Sequence, residues 1–135
     1  MIETFEDITS PLSEDELRVL PYIVAGLERR KNTNPVTSKE IVEAINGNLE
    51  KYQVDRRFRM TGARLRKMIN YLRVNSVLCV IATSDGYFTT DDPTTIEKNV
   101  RSLEERAGAI IAAADGLKRF LVPGFRSPTL FDKIG

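Results

Sequence analysis

The chain has 135 residues, of which 41% are hydrophobic and 29% are charged. This balance is typical of one compact domain with an appended arm. The sequence has no histidine and one cysteine, Cys79, which excludes Ser-His and Cys-His nucleophile pairs, imidazole metal ligands and disulfides within the chain. No apolar run approaches the roughly 20 residues of a membrane span, and the first ten residues are acidic, unlike a signal peptide. We therefore predict a cytoplasmic protein that is not an enzyme, with no catalytic residues, no metal site and no cofactor.

The net charge of +1 conceals an uneven distribution of charge along the chain. Residues 1–50 carry five basic and ten acidic side chains, residues 51–73 carry eight and one, and residues 74–135 carry seven and eight. Six of the eight cations in the middle segment are arginines, whose planar guanidinium group matches phosphates and guanine edges. Solvated helix faces usually mix charges of both signs. The charges of residues 51–73 are almost all positive, which favours binding to nucleic acid or another polyanion.

A first helix is predicted after an acidic N-terminal arm, because Ser13 followed by Glu16 matches a capping box. The helix runs to about residue 30, and Pro21 within it predicts a kink or a split into two helices. Apolar residues recur there every three or four positions and predict the face that packs on the core: Leu17, Leu20, Ile23, Val24 and Leu27.

Two further helices are predicted before residue 75. Thr37 and Glu40 form a second capping box, and the short helix behind them ends near residues 46–47, where glycine tolerates a left-handed cap. Residues 48–60 form a loop or a short extra helix. Thr61 caps a third helix that ends at about Val74, and its apolar face lies opposite its polar face. The apolar face comprises Leu65, Met68, Ile69 and Leu72, and the polar face comprises Ala63, Arg66, Lys67 and Asn70.

A β-hairpin is predicted after the third helix. Residues 77–82 are rich in β-branched side chains, residues 84–86 contain the Asp-Gly pair of tight turns, and residues 87–90 form the returning strand. Cys79 is then a small core residue of the first strand. A last helix starts around Pro93, because proline is tolerated at the first position of a helix.

The last helix carries an apolar seam whose residues alternate in spacing between four and three. A heptad repeat over about 26 residues is typical of paired helices, so we predict a homodimer. Folding of this helix onto the N-terminal helix of its own domain is the alternative. The apolar seam comprises Ile96, Val100, Leu103, Ala107, Ile110, Ala114, Leu117 and Leu121.

The order helix, helix, basic helix and β-hairpin is the winged-helix arrangement, a mainly α (α+β) fold. The sequences VTSKEI at 36–41, TGARLRKMINYLR at 61–73, IATSDGYF at 81–88 and SLEERAGAI at 102–110 resemble small winged-helix DNA-binding proteins of bacteriophages and prophages. The resemblance covers residues 14–121. It departs from the pattern in the connection of about 14 residues between the second and third helices, where a tight helix-turn-helix has three or four, so the docking of the third helix stays open.

The resemblance implies four parts and a location in the host bacterial cytoplasm. An acidic arm (residues 1–12) precedes a winged helix-turn-helix domain (13–90), which is followed by an oligomerising C-terminal helix (91–122) and a tail (123–135). We predict binding to double-stranded DNA, as a phage or prophage transcription regulator or replication accessory. The hairpin tip has no Arg or Lys, so its contribution to binding is weak. The predicted DNA-contacting residues are Lys51, Arg56, Arg57, Arg59, Thr61, Arg64, Arg66, Lys67, Asn70 and Arg73.

Two other functions agree with the same sequence. A small terminase-like DNA-packaging adaptor also joins a helix-turn-helix to an oligomerising helix, and a phage protein-interaction module would use its cations to inhibit a host enzyme through an acidic surface. The tail from Phe125 to Ile134 keeps apolar residues such as Leu130 and Phe131. It either docks on a partner protein or packs on the protein's own surface.

Overall fold

The computed structural model describes residues 10–126, which are mainly helical with one small antiparallel hairpin. This confirms the predicted mainly α architecture with a hairpin and a long C-terminal helix. The chain divides into two compact units, with the boundary between Ile96 and Glu97. The elements in chain order are α1 (Glu14–Glu28), α2 (Ser38–Asn46), a 3-10 helix (Leu49–Tyr52), α3 (Gly62–Val74), β1 (Val80–Thr83), β2 (Gly86–Thr89), α4 (Pro93–Lys118) and a 3-10 turn (Arg119–Leu121).

Helix α1 begins at the predicted capping box, in which Ser13 and Glu16 exchange hydrogen bonds. It continues through Pro21 without interruption, so the predicted split does not occur. Proline removes only one backbone donor, and buried residues on both sides of it anchor the helix to the same core. The predicted core stripe was partly wrong, since Leu17 is 47% exposed while Leu20 and Val24 are only partly buried. The face that is buried comprises Glu16, Val19, Ile23 and Leu27.

The first unit is built around one hydrophobic core to which all three of its long helices contribute. Helix α2 has the predicted capping box of Thr37 and Glu40. Helix α3 begins at the predicted cap, Thr61, whose hydroxyl accepts a hydrogen bond from the backbone N–H of Arg64 at 3.1 Å. The predicted apolar face of α3 is confirmed as buried: Leu65, Met68, Ile69 and Leu72.

The hairpin is shorter than predicted and its first strand starts three residues later. β1 and β2 pair with Val80 opposite Thr89 and Thr83 opposite Gly86, so the loop is residues 84–85. Val77 and Cys79 precede β1 and are exposed, so the prediction of Cys79 as a core residue was wrong.

A single residue before α2 extends this sheet. Val36 exchanges backbone hydrogen bonds with Tyr87, at 2.9 and 2.7 Å. The approach is so close that a Cβ at Gly86, where φ is +131°, would lie 2.5 Å from the carbonyl oxygen of Val36. Glycine is therefore required at this position.

The connection between α2 and α3 is an ordered segment. The side chain of Asn46 accepts a hydrogen bond from the backbone N–H of Met60 (2.7 Å) and donates one to its carbonyl (3.0 Å). Tyr52, Phe58 and Met60 are buried in the core. Gly47 has φ −78°, so the predicted left-handed cap at the end of α2 was wrong. These contacts thus fix the position at which α3 begins.

Candidate nucleic-acid interface

Exposed arginines alternate with buried residues just before α3. Phe58 and Met60 are buried, whereas Arg56, Arg57 and Arg59 are exposed. The guanidinium group of Arg59 donates to the backbone carbonyls of Arg56 (3.0 Å) and Phe58 (2.7 Å). The core contacts of this segment therefore hold three predicted DNA-contacting residues on the surface.

Helix α3 adds a fourth arginine to this surface. Arg66 is exposed, and its Nη1 would lie 3.6 Å from a Cβ placed on Gly62. The guanidinium group therefore lies beside the N-terminus of α3, which has no acidic residue in its first turn. Backbone N–H groups at a helix N-terminus favour anions. We call Arg56, Arg57, Arg59 and Arg66 together the arginine surface.

A buried carboxylate lies beneath the start of α3, where it links this helix to α1. Glu16 is 1% exposed. Its Oε2 lies 2.9 Å from Nε of Arg64, and its Oε1 lies 2.7 Å from Nζ of Lys67 and 2.8 Å from the backbone nitrogen of Ser13. We call Glu16, Arg64 and Lys67 the Glu16 cluster. It joins residues that are about 50 positions apart in sequence.

The pKa of Glu16 reflects a balance between burial and the contacts of its carboxyl group. Burial raises the pKa, but hydrogen bonds from Lys67 and from the backbone of Ser13, together with the charges of Lys67 and Arg64, outweigh burial and place the pKa below its usual value of 4.5. The carboxyl is therefore ionised at neutral pH, and the cluster carries one negative and two positive charges.

The cluster changes the role of two predicted DNA-contacting residues. Arg64 also donates to the backbone carbonyl of Arg59 (2.9 Å), and its guanidinium carbon lies 4.5 Å from the ring centroid of Phe58. Lys67 keeps only 14% of its side chain exposed and donates to the backbone carbonyl of Pro11 at 3.3 Å. Both cations are thus held by the protein itself and fix α3 against α1. The cluster borders a cavity of about 320 Å³ that Thr61 and Ala63 also line.

The other predicted DNA-contacting residues lie in different surroundings. Asn70 is half-buried and shares a cavity of about 280 Å³ with Ser10 and Pro11. Arg73 donates from Nε to the backbone carbonyl of Val80 (2.9 Å), which joins α3 to β1.

Lys51 lines a separate groove of about 430 Å³ along α1 and α2. Its Nζ lies 5.1 Å from the ring centroid of Tyr22. The four residues of the arginine surface are thus exposed around the start of α3, whereas the rest of the predicted set is held by other contacts or lies elsewhere.

Sequence reasoning missed the structural role of Glu16, which it assigned only to helix capping. A signal was present, because Glu16 lies four residues before Leu20 and three before Val19, on the side of α1 that carries the buried residues Val19, Ile23 and Leu27. A carboxylate on an apolar face requires a cation or several donors.

The second unit exposes a long apolar helix face. No residue of α4 is buried, and the members of the apolar seam that are large and exposed include Val100, Leu103, Ile110 and Leu117. At the other end of the unit, the rings of Phe120 and Phe125 pack edge to face at 5.3 Å. The predicted tail residues Leu130, Phe131 and Ile134 lie outside the described residues.

No helix within residues 10–126 is both long and apolar enough to cross a membrane. Over the same residues, no group of three or more His, Cys, Asp or Glu side chains is placed to hold a metal ion. Comparisons of the chain with protein-family models, with curated proteins and with solved structures give no match.

Proposed function

We propose that the protein binds double-stranded DNA through the arginine surface. The observation that carries the proposal is that Arg56, Arg57 and Arg59, just before α3, and Arg66, beside its N-terminus, are all exposed, while the first turn of α3 has no acidic residue. Arginine side chains and helix N-termini are the groups that bind DNA phosphates. The first contact that we propose is therefore to the phosphate backbone.

The order of elements supports a winged-helix mode of binding. α1, α2, α3 and the hairpin follow one another in the winged-helix order, and Val36 adds a one-residue strand to the hairpin. In this fold, the third helix approaches the major groove. A transcription regulator or replication accessory of a phage or prophage is the role that we propose for such a module.

The proposed contacts differ from the set expected on sequence alone. Arg66 approaches base edges or phosphates, whereas Arg64 and Lys67 act mainly by holding α3 in place through Glu16. The hairpin loop contains Asp85 and no cation, and an acidic side chain is repelled by phosphate. The hairpin therefore contributes little to binding, and α3 and residues 56–59 carry the interface.

The salt dependence of DNA binding tests the proposal. If the four arginines each meet one phosphate, the logarithm of affinity falls with the logarithm of salt concentration with a slope of about −3.6. The measurement is fluorescence anisotropy of a labelled duplex of mixed sequence titrated with the protein at several salt concentrations. A slope near zero, or no binding at low salt, overturns the proposal.

A matched pair of variants locates the interface. Arg57→Gln with Arg66→Gln removes two charges from the arginine surface and is expected to reduce the slope by about 2. Lys98→Gln with Arg101→Gln removes two charges from exposed positions of α4 and is expected to leave the slope unchanged. Equal losses in both variants overturn the assignment of the surface. Circular dichroism melts verify that both variants fold.

A protein partner with an acidic surface is the second candidate function. The exposed guanidinium groups of the arginine surface allow it, because arginine pairs with carboxylates as well as with phosphates. This function predicts no duplex binding at low salt, together with binding to an acidic protein that the Arg57→Gln and Arg66→Gln double variant loses.

A further inference from the structure

We propose that α4 forms an antiparallel two-helix coiled coil with α4 of a second copy of this chain. No residue of this 26-residue helix is buried. Exposed fractions of 47% for Val100, 53% for Ile110 and 69% for Leu117 leave much apolar surface in water. Burial of an apolar stripe is the main source of stability for a helix, so α4 needs a partner surface.

The heptad spacing defines the positions that face the partner. Leu103, Ile110 and Leu117 occupy d positions, and Val100, Ala107 and Ala114 occupy a positions. A large residue thus lies at every d position, whereas two consecutive a positions are alanines. The arrangement of the two helices decides which of these residues meet.

An antiparallel arrangement matches large residues with small ones. With the two-fold axis between residues 108 and 109, Leu103 faces Ala114 of the second copy, and Ala107 faces Ile110 of the second copy. Val100 faces Leu117 in the same register. Each of these layers then contains at least one large side chain, which fills the interface evenly.

A parallel arrangement packs the same residues poorly. It pairs each residue with its own copy, so that Ala107 meets Ala107 and Ala114 meets Ala114. These two thin layers alternate with the large layers of Leu103, Ile110 and Leu117. Such alternation leaves voids beside the alanines, and voids in an apolar interface are destabilising.

The charges that flank the seam favour the same orientation. Glu97 and Lys118 occupy e positions near opposite ends of the helix. An antiparallel pair brings Glu97 close to Lys118 of the second copy at both ends. A parallel pair instead places Lys118 opposite Ala113 and Glu104 opposite Asn99, with no opposite charges. Lys118 is exposed and lies 3.8 Å from Asp115 of its own helix, a weak contact that leaves it accessible.

The second copy is the occupant because the surface is complementary to itself. A two-fold interface requires that each contact be repeated in reverse, and the pairs Leu103–Ala114, Ala107–Ile110 and Glu97–Lys118 all meet this requirement about one axis. The inference does not depend on DNA binding, since no residue of the arginine surface takes part.

Measurement of mass in solution tests the association. The wild-type chain is expected to sediment at twice its 15.2 kDa. Leu103→Glu with Ile110→Glu places charges in the interface and is expected to give a monomer. The control, Ser102→Glu with Ala109→Glu, adds the same charges at the same spacing but away from the seam, and is expected to remain a dimer. A wild-type monomer at tens of micromolar, a ring-sized assembly, or equal behaviour of the two variants overturns the proposal.

Cross-linking tests the orientation without relying on a disruptive variant. In a Cys79→Ser background, two chains are prepared, one with Val100→Cys and one with Leu117→Cys. An antiparallel pair gives a covalent dimer with a short thiol-reactive cross-linker only when the two chains are mixed. Cross-linking of either chain with itself indicates a parallel pair and overturns the orientation. Absence of any cross-link overturns the pairing of these residues.

Discussion

Replacement of Glu16 by glutamine tests the ion pairs that link α1 to α3 in the first unit. The substitution keeps the size of the side chain but removes its charge. The carboxylate accepts hydrogen bonds from Arg64 Nε, Lys67 Nζ and the Ser13 backbone N–H at 2.7–2.9 Å. The glutamine amide offers one acceptor oxygen, and its NH₂ group points a donor at groups that also donate.

The expected cost follows from the burial of the site. Removal of one member of a buried ion pair costs about 3–5 kcal/mol. Arg64 keeps 34% of its side chain exposed and can recover part of its hydration, so we expect the lower end, about 3 kcal/mol. For a domain of this size, that corresponds to a fall in melting temperature of about 12–24 °C.

The stability difference between the wild type and Glu16→Gln is expected to depend on pH. Because the pKa of Glu16 in the folded state is below its usual value of 4.5, its contribution to stability is complete above that value and is lost as the pH falls through the folded-state pKa. The pKa of Glu40 is also lowered, by hydrogen bonds from Thr37, but this effect is common to both proteins and cancels in their difference. The difference in unfolding free energy is therefore complete at pH 7 and shrinks as the pH falls below 4.5.

Urea denaturation followed by circular dichroism at a series of pH values measures this difference. Glu14→Gln is the control, because Glu14 is exposed in the same helical turn and its substitution is expected to change stability by less than about 0.5 kcal/mol. The reasoning is refuted if Glu16→Gln is as stable as the wild type at pH 7, or if the loss is the same at pH 7 and pH 3.

Five further substitutions, at four positions, test local features of the fold by urea denaturation. Gly86→Ala is expected to cost more than about 1 kcal/mol, since it combines a φ of +131° with a Cβ 2.5 Å from a backbone carbonyl oxygen. Gly26→Ala, with no atom within 4 Å of the new Cβ, is expected to stabilise α1 by up to about 1 kcal/mol. A Gly86→Ala protein that is more stable than the Gly26→Ala protein would contradict this explanation. Asn46→Ala removes both hydrogen bonds to the backbone of Met60 and is expected to cost about 1–3 kcal/mol, so an unchanged midpoint would show that other contacts position the segment. Thr61→Ala removes the N-cap of α3 and is expected to cost about 1 kcal/mol, whereas Thr61→Ser should retain most of the stability.

Local chemistry was sufficient to predict the main elements. The capping boxes at Ser13 and Thr37 and the cap at Thr61 mark the starts of α1, α2 and α3, because capping depends on residues only three positions apart. The heptad seam and Pro93 likewise predicted α4. These signals act within one or two helical turns, so they can be recognised without knowledge of the fold.

Tertiary structure decided what local patterns could not. The apolar spacing predicted Leu17 for the core, but packing left Leu17 exposed and buried Val19 instead. The start of β1 was fixed by its pairing with β2 and by the contact of Val36 with Tyr87, 51 residues away.

The same holds for the candidate site. Composition located the positive charge in residues 51–73, but only the fold divided it between cations held by Glu16 and arginines exposed to solvent. The physical reason is that the partner of Arg64 and Lys67 is 48 or more residues away, on another helix. Helical periodicity assigns a side chain to a face of its helix, whereas the groups opposite that face are determined by how the helices pack.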